Sequence, residues 1–190
     1  LRRGGVLRTD RVIGLLADDL PCDTFEELRI PLRVTAADFW TGEEVVFDRG
    51  PLLSAIQASM AVPGVFTPVE RDGRVLVDGG LVNLVPWNLL RDCCDRVVAV
   101  HVAAPAAPRT PCRVPNLAEA VLGAFDIGHA ALLAERLRTS PPDLWVPVPL
   151  RDIGIFEFTR IEETLRRGEA AAALVRRTLA EWTGRPLPAS

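Results

Sequence analysis

The chain has 190 residues, of which 48% are apolar and 25% are charged, and its formal net charge is -3. That length fits one domain with a sizeable core, and the composition is that of an ordinary globular protein. The small negative charge gives no reason to expect a nucleic-acid partner. Every basic residue is Arg, which excludes lysine chemistry such as Schiff-base formation.

The four cysteines are Cys22, Cys93, Cys94 and Cys112. None forms a C-x-x-C pair and neither His lies near a pair at ligand spacing, so we predict no metal site and no cofactor. Adjacent Cys93 and Cys94 cannot easily close a relaxed disulfide. Reduced thiols are typical of a cytoplasmic protein.

No secretory leader and no membrane span are expected. The first residues lack an apolar h-region, and no window approaches about 18 uninterrupted apolar residues. The chain begins at Leu1 without an initiator Met. We interpret this start as that of a cleaved product, a trimmed protein or a gene fragment.

The first predicted elements are a short helix over residues 9–20 and a β-hairpin. Residues 30–39 are rich in strand formers, Thr41 and Gly42 favour a turn, and residues 44–47 favour a returning strand. Asp38 stands just before that turn and is expected to accept hydrogen bonds within it.

A helix and a second hairpin follow. Pro51 suits the first turn of a helix that runs to Met60, and residues 63–64 (Pro-Gly) are expected to end it. The pair Asp72-Gly73 divides two strand-like pieces within residues 69–77 and predicts another hairpin.

The second half alternates strands and helices, which indicates an α/β fold. A continuous apolar run predicts a strand covered on both faces, and the Pro- and Ala-rich segment after it predicts a loop. The expected elements are a strand at 96–102, the loop at 103–115, a helix at 117–137, a strand at 144–148 and a helix at 161–182.

Two neighbouring blocks carry the most information about function. Residues 58–68 read A-S-M-A-V-P-G-V-F-T-P, and residues 75–86 read V-L-V-D-G-G-L-V-N-L-V-P. The second block places Asp78 at the end of an apolar run and before two glycines, so that a strand would present its carboxylate with little steric cover. Taken alone, D-G-G is more often a strand-ending turn with a side-chain hydrogen bond.

In order and spacing, the two blocks resemble the bacterial patatin-like phospholipases. Residues 31–42, 96–102 and 153–171 extend the resemblance over most of the chain. It implies an α/β fold of the patatin-like three-layer α/β/α type, incomplete because the N-terminal strands and the nucleophile elbow are absent. Residues 1–190 would then form a partial domain, with a helical tail at about 153–184.

The resemblance implies a lipid acyl hydrolase that uses a Ser-Asp dyad. Only the Asp can be carried over, and it falls on Asp78; Gly79, Gly80 and Asn83 complete its motif. No G-x-S-x-G, the sequence of the nucleophile elbow, occurs in the 190 residues. The serine and the oxyanion loop would precede Leu1, and this chain alone would be inactive.

Two other functions stay open. The chain could be a catalytically inactive, truncated paralogue that binds lipid or protein, or an enzyme that uses Ser59, a Cys or His101 in place of the missing serine. Ser59 lacks the flanking glycines of an elbow, and packing or capping at the end of a helix is the favoured interpretation.

Three residues are candidates for substrate binding. Phe66 and Trp87 flank the Asp block and could line an acyl groove. His101 falls near the end of a strand, where open α/β sheets place their sites. Each also has a structural interpretation, and most of the aromatic residues are expected in the core. The partners implied are a lipid or acyl ester and a peripheral membrane contact, with the oligomeric state open.

Overall fold

The computed structural model describes the chain in four stretches and four single positions: residues 5–7, 14, 17, 20, 22–102, 114–150, 153 and 160–185. The chain divides into two compact units, residues 1–84 and residues 85–190.

In its described part, the first unit contains strands β1 (Gly5–Leu7), β2 (Val34–Asp38), β3 (Glu44–Phe47), β4 (Gly64–Phe66), β5 (Val69–Arg71) and β6 (Arg74–Asp78), helix α1 (Leu52–Ser59), and short 3₁₀ helices at Phe25–Glu27 and Gly79–Leu81. An antiparallel sheet has the strand order β3-β2-β6-β5, and β1 pairs with β4 in parallel. In the antiparallel sheet, Ala36 of β2 lies opposite Asp78 of β6.

Both predicted hairpins are confirmed. Gly42 turns the chain between β2 and β3 with φ of 71°, and Asp72 and Gly73 join β5 to β6 with φ of 51° and 76°. Two consecutive residues with positive φ match the right-handed twist of the flanking strands. Strand β2 begins at Val34 and not at residue 30, because Pro31 has no N–H to donate to a ladder.

Helix α1 covers one face of the antiparallel sheet. It follows Pro51 as predicted and ends at Ser59, before the Pro-Gly pair that was expected to stop it. Ala58 of this helix packs with Ala36 and Leu76 in a buried cluster. Small residues at these contacts let the helix lie close to the sheet.

Two short strands escaped prediction. Both β1 and β4 have three residues, too few for an alternating pattern, and Gly64 opens β4 although glycine is a weak strand former. The helix predicted over residues 9–20 lies outside the described residues, apart from three isolated positions.

The second unit contains, in its described part, a 3₁₀ helix (Trp87–Leu90), β7 (Val98–His101), α2 (Leu117–Thr139), β8 (Leu144–Pro147) and α3 (Ile161–Thr183). β7 and β8 pair in parallel. Helix α3 ends as predicted at Gly184, whose φ of 64° is left-handed. The loop predicted at 103–115 lies outside the described residues up to residue 113.

The prediction that the strand at 96–102 is covered on both faces is wrong. Val97 and Ala99 are buried, whereas Val100 is 47% exposed and Val102 also faces solvent. An apolar run thus forms a strand with one buried face, because β-branched residues suit strands on either face.

Phe39 and Trp40 are exceptions to the prediction that most aromatic residues lie in the core. They follow β2 in the turn of the first hairpin, where Trp40 is 78% exposed and Phe39 is about half exposed. Their rings meet edge to face with centroids 5.1 Å apart. The strand ends at Asp38, so the two residues belong to the turn and not to the sheet that the helix covers.

The architecture is mixed α/β, as the sequence predicts. None of the helices in the described ranges combines the length and the apolar character needed to cross a membrane.

Candidate active site

Asp78 occupies the carboxyl end of β6 and is half-buried. Its backbone N–H donates to the Ala61 carbonyl at 3.1 Å. Its side-chain Oδ1 accepts a hydrogen bond of 2.7 Å from the Gly80 N–H. The strand therefore ends where predicted, and the turn that follows orients the carboxylate.

The first glycine of the motif is required by a close approach of two backbones. A Cβ on Gly79 would lie 2.5 Å from the Thr35 carbonyl oxygen and 2.6 Å from the Thr35 carbonyl carbon. Real Cβ atoms do not come that close to backbone atoms, so only glycine fits. On Gly80, a Cβ would stand 3.0 Å from the Asp78 Oδ1 and crowd the carboxylate itself.

Asn83 closes the loop through a partner that the sequence did not reveal. Its backbone N–H donates to the Gly79 carbonyl at 2.9 Å. Its side-chain Nδ2 donates to Glu44 Oε1 at 2.7 Å. Glu44 is the first residue of β3 and is half-buried. In the sequence, this partner could have been found only as an acidic residue at the start of a predicted hairpin strand.

The two motif blocks meet in the first unit. Ala61, in the first block, accepts the backbone hydrogen bond of Asp78, in the second. Ala58, also in the first block, packs against Leu76, two residues before Asp78. The small residues of the first block therefore bring the end of α1 against the strand that carries the carboxylate.

Other polar residues near these elements have structural contacts. Ser59 is the last residue of α1, at the predicted junction. The Ser54 hydroxyl donates to the Pro51 carbonyl at 3.2 Å and accepts from Arg71 Nη1 at 3.0 Å. Asp38 accepts from the Trp40 N–H at 3.0 Å, which confirms its prediction as a turn acceptor.

The three predicted substrate contacts divide between the units. Phe66 is buried in β4 of the first unit, whereas Trp87 and His101 are buried in the second. Trp87 Nε1 donates to the Ser140 carbonyl at 2.9 Å. The Trp145 ring lies 5.8 Å from that of Trp87 and 5.4 Å from that of His101.

Four predicted residues therefore lie together in one candidate site: Asp78, Gly79, Gly80 and Asn83. The aromatic cluster of Trp87, Trp145 and His101 is a feature of the second unit. In the ranges that the structure covers, no three side chains of His, Cys, Asp or Glu converge on a position that could hold a metal ion.

Comparison with known proteins identifies the family of the segment that contains this candidate site. Residues 1–91 match the family model described as patatin-like phospholipase. This segment contains Asp78, both glycines and Asn83. The first half of the chain therefore belongs to the patatin-like phospholipase family.

Several relatives are similar over a larger part of the chain. An uncharacterized NTE family protein of Mycobacterium tuberculosis is 33% identical over 141 residues, which cover 70% of this chain and 39% of the relative. A second uncharacterized NTE family protein of that organism is 30% identical over 199 aligned residues, with 90% and 32% covered. The lysophospholipase NTE1 of Saccharomyces cerevisiae is 27% identical over 139 residues, with 60% and 8% covered. The chain thus spans well under half the length of the relatives it matches.

Proposed function

We propose that this chain carries the general base of a serine-dependent lipid acyl hydrolase, and that Asp78 is that base. The observation that supports this most is the presentation of Asp78. It is a half-buried carboxylate at a strand end, oriented by the Gly80 N–H. It also lies in the segment that matches the patatin-like phospholipase family.

The proposed chemistry needs one proton acceptor and one nucleophile. Asp78 would accept the proton of a serine hydroxyl as the oxygen attacks the acyl carbon, and would return it to the leaving alcohol. A water molecule would then release the acyl group by the same exchange. In general, backbone amides that stabilise the oxyanion contribute about 3–4 kcal/mol per donor.

The nucleophile is not identified within this sequence. No serine in the 190 residues lies within a G-x-S-x-G sequence. We therefore propose that the nucleophilic serine and the oxyanion donors belong to residues outside this sequence. The relatives are longer than this chain, which leaves room for such a segment. One relative is named a lysophospholipase, so a lysophospholipid is the first substrate to test.

The test compares two Asp-Gly turns at opposite ends of β6. In the full-length gene product, Asp78→Asn should lower kcat for lysophospholipid hydrolysis by about 10²–10⁴-fold. The matched control Asp72→Asn changes an exposed Asp that also precedes a glycine, and should leave kcat unchanged. Wild-type kcat in folded Asp78→Asn would refute the proposal.

A second function is favoured by the missing elbow sequence: a binding module without catalysis. The binding-module hypothesis predicts that the full-length gene product binds lysophospholipid vesicles without turnover and does not react with a fluorophosphonate. Labelling of a serine outside these 190 residues would favour the hydrolase. Labelling at Ser59 would instead contradict the assignment of the nucleophile to another segment.

A further inference from the structure

Two neighbouring thiols lie in the second unit, apart from the Asp78 loop in sequence. Cys93 and Cys94 follow the 3₁₀ helix Trp87–Leu90, and both side chains are exposed. Their Sγ atoms are 3.8 Å apart. The Cys93 N–H donates to the Leu90 carbonyl at 3.2 Å, so the turn that continues the helix holds the first cysteine in place.

We propose that Cys93 and Cys94 together chelate one thiophilic divalent cation of the Zn²⁺ or Cd²⁺ class, although the spacing of the cysteines in the sequence predicts no metal site. A Zn–S bond is about 2.3 Å long, and two such bonds at a tetrahedral angle place their sulfurs about 3.8 Å apart. A linear two-coordinate ion with bonds of the same length would need about 4.6 Å. The observed separation is that of the tetrahedral case.

Oxidation competes poorly with chelation at this pair. Neighbouring Cα atoms across a trans peptide are about 3.8 Å apart. A relaxed disulfide needs its Cα atoms about 4.4–6.8 Å apart. The pair therefore favours the dithiol, which is the form that binds a cation.

The surrounding charges favour a cation. Asp92 and Asp95 flank the pair and are exposed, so they add negative charge beside the two sulfurs. The neighbouring arginines are directed elsewhere: Arg91 and Arg96 form ion pairs with Asp143 at 2.9 Å and 3.2 Å.

Binding is a proton-for-metal exchange with no change of oxidation state. Each thiol loses its proton, two metal–sulfur bonds form, and two protons are released for each ion bound. In the described residues, no third His, Cys, Asp or Glu side chain converges with the two thiols on a position that could hold the ion. Water or a small thiol would complete the tetrahedron, which makes this an open site from which the metal can exchange.

The experiment titrates the reduced, metal-free protein with Cd²⁺ and follows the sulfur-to-cadmium absorption band and proton release. We expect one ion per chain and two protons per ion. Cys93→Ser and Cys94→Ser should each weaken binding by about 10²–10⁴-fold, because the chelate is lost. Cys22→Ser is the matched control, since Cys22 lies in the first unit and its Sγ donates to the Thr24 carbonyl.

Three results would overturn the proposal: wild-type affinity in either Cys93→Ser or Cys94→Ser, release of one proton per ion, or a comparable loss in Cys22→Ser or Cys112→Ser. Circular dichroism must show that each variant is folded. Cys93→Ala and Cys94→Ala provide a second pair if a serine variant is not.

Discussion

The Asn83 Nδ2 donates a 2.7 Å hydrogen bond to Glu44 Oε1, and this bond joins the loop that follows Asp78 to strand β3. Asn83 is only 3% exposed. Its backbone N–H also bonds the Gly79 carbonyl. Asn83 therefore connects the turn that presents the Asp78 carboxylate with β3, an edge strand of the antiparallel sheet.

Loss of the Glu44 side chain should destabilise the first unit. Glu44→Ala leaves the buried Asn83 amide without this acceptor, so we expect the free energy of unfolding to fall by about 1.5–3 kcal/mol. Urea denaturation measures it. Glu43→Ala is the control: that side chain is 65% exposed and forms a loose ion pair with Arg74, so the loss should stay below about 1 kcal/mol. Equal losses in the two variants would contradict the assignment.

Gly79→Ala should be severely destabilising. The new Cβ would collide with the Thr35 backbone, which cannot move without parting β2 from β6, so we expect a loss of about 3 kcal/mol or more. Gly128→Ala is the contrasting change, because Gly128 lies exposed within α2 with open space around it. It should stabilise the protein by about 0.5–1 kcal/mol. The measurement is the thermal midpoint of unfolding of each variant. If both midpoints shift in the same direction, the prediction is contradicted.

Trp87→Phe distinguishes a structural role from a substrate contact. The change removes the Nε1 donor to the Ser140 carbonyl and part of the buried Trp87 ring system, and we expect a loss of about 1–3 kcal/mol in unfolding free energy. Trp40→Phe, at a 78% exposed position, should stay within about 0.5 kcal/mol. If the full-length gene product hydrolyses lysophospholipid, KM should not change in Trp87→Phe. A raised KM at unchanged stability would instead support Trp87 as part of an acyl-binding groove.

Asp143 should make the stability of the second unit depend on pH. The Val97 N–H, 2.8 Å from Asp143 Oδ2, holds the pKa of this carboxyl below its usual range, and Arg96 and Arg91 lower it further. A lowered folded-state pKa stabilises the fold above the unfolded pKa of about 3.9. That contribution is lost as the pH falls through the folded-state value.

The measurement compares the wild type with Asp143→Asn by urea denaturation across pH. The stability gap should be constant at neutral pH and shrink below about pH 4, where the unfolded carboxylate becomes protonated. Asp95→Asn, an exposed change two residues before Val97, serves as the control. A gap that stays constant down to the lowest pH at which the protein folds would refute the role of this charge.

Local signals in the sequence predicted much of the fold. The turns at residues 41–42 and 72–73 require positive φ, and glycine at the second position of each meets that need. Pro51 and Gly184 mark the start of α1 and the end of α3 for equally local reasons. Such features depend on a few neighbouring residues, which a single sequence displays.

The exposure of aromatic and apolar residues was harder to predict. Phe39 and Trp40 are large aromatic residues like those of the core, yet they lie in the turn of the first hairpin and are exposed. Val100 is exposed for a similar reason, since only one face of β7 is covered. Burial depends on which element covers a face, and residue type alone does not reveal that.

The sequence by itself determined the position of the carboxylate and its glycine turn, because a strand end followed by two glycines is encoded within a few consecutive residues. Only the tertiary structure revealed that Gly79 lies against Thr35 and that Asn83 bonds Glu44. The partners in these contacts are about 40 residues apart in the chain. They meet because the pairing of β2 with β3 and β6 sets the register, and that register depends on the whole sheet.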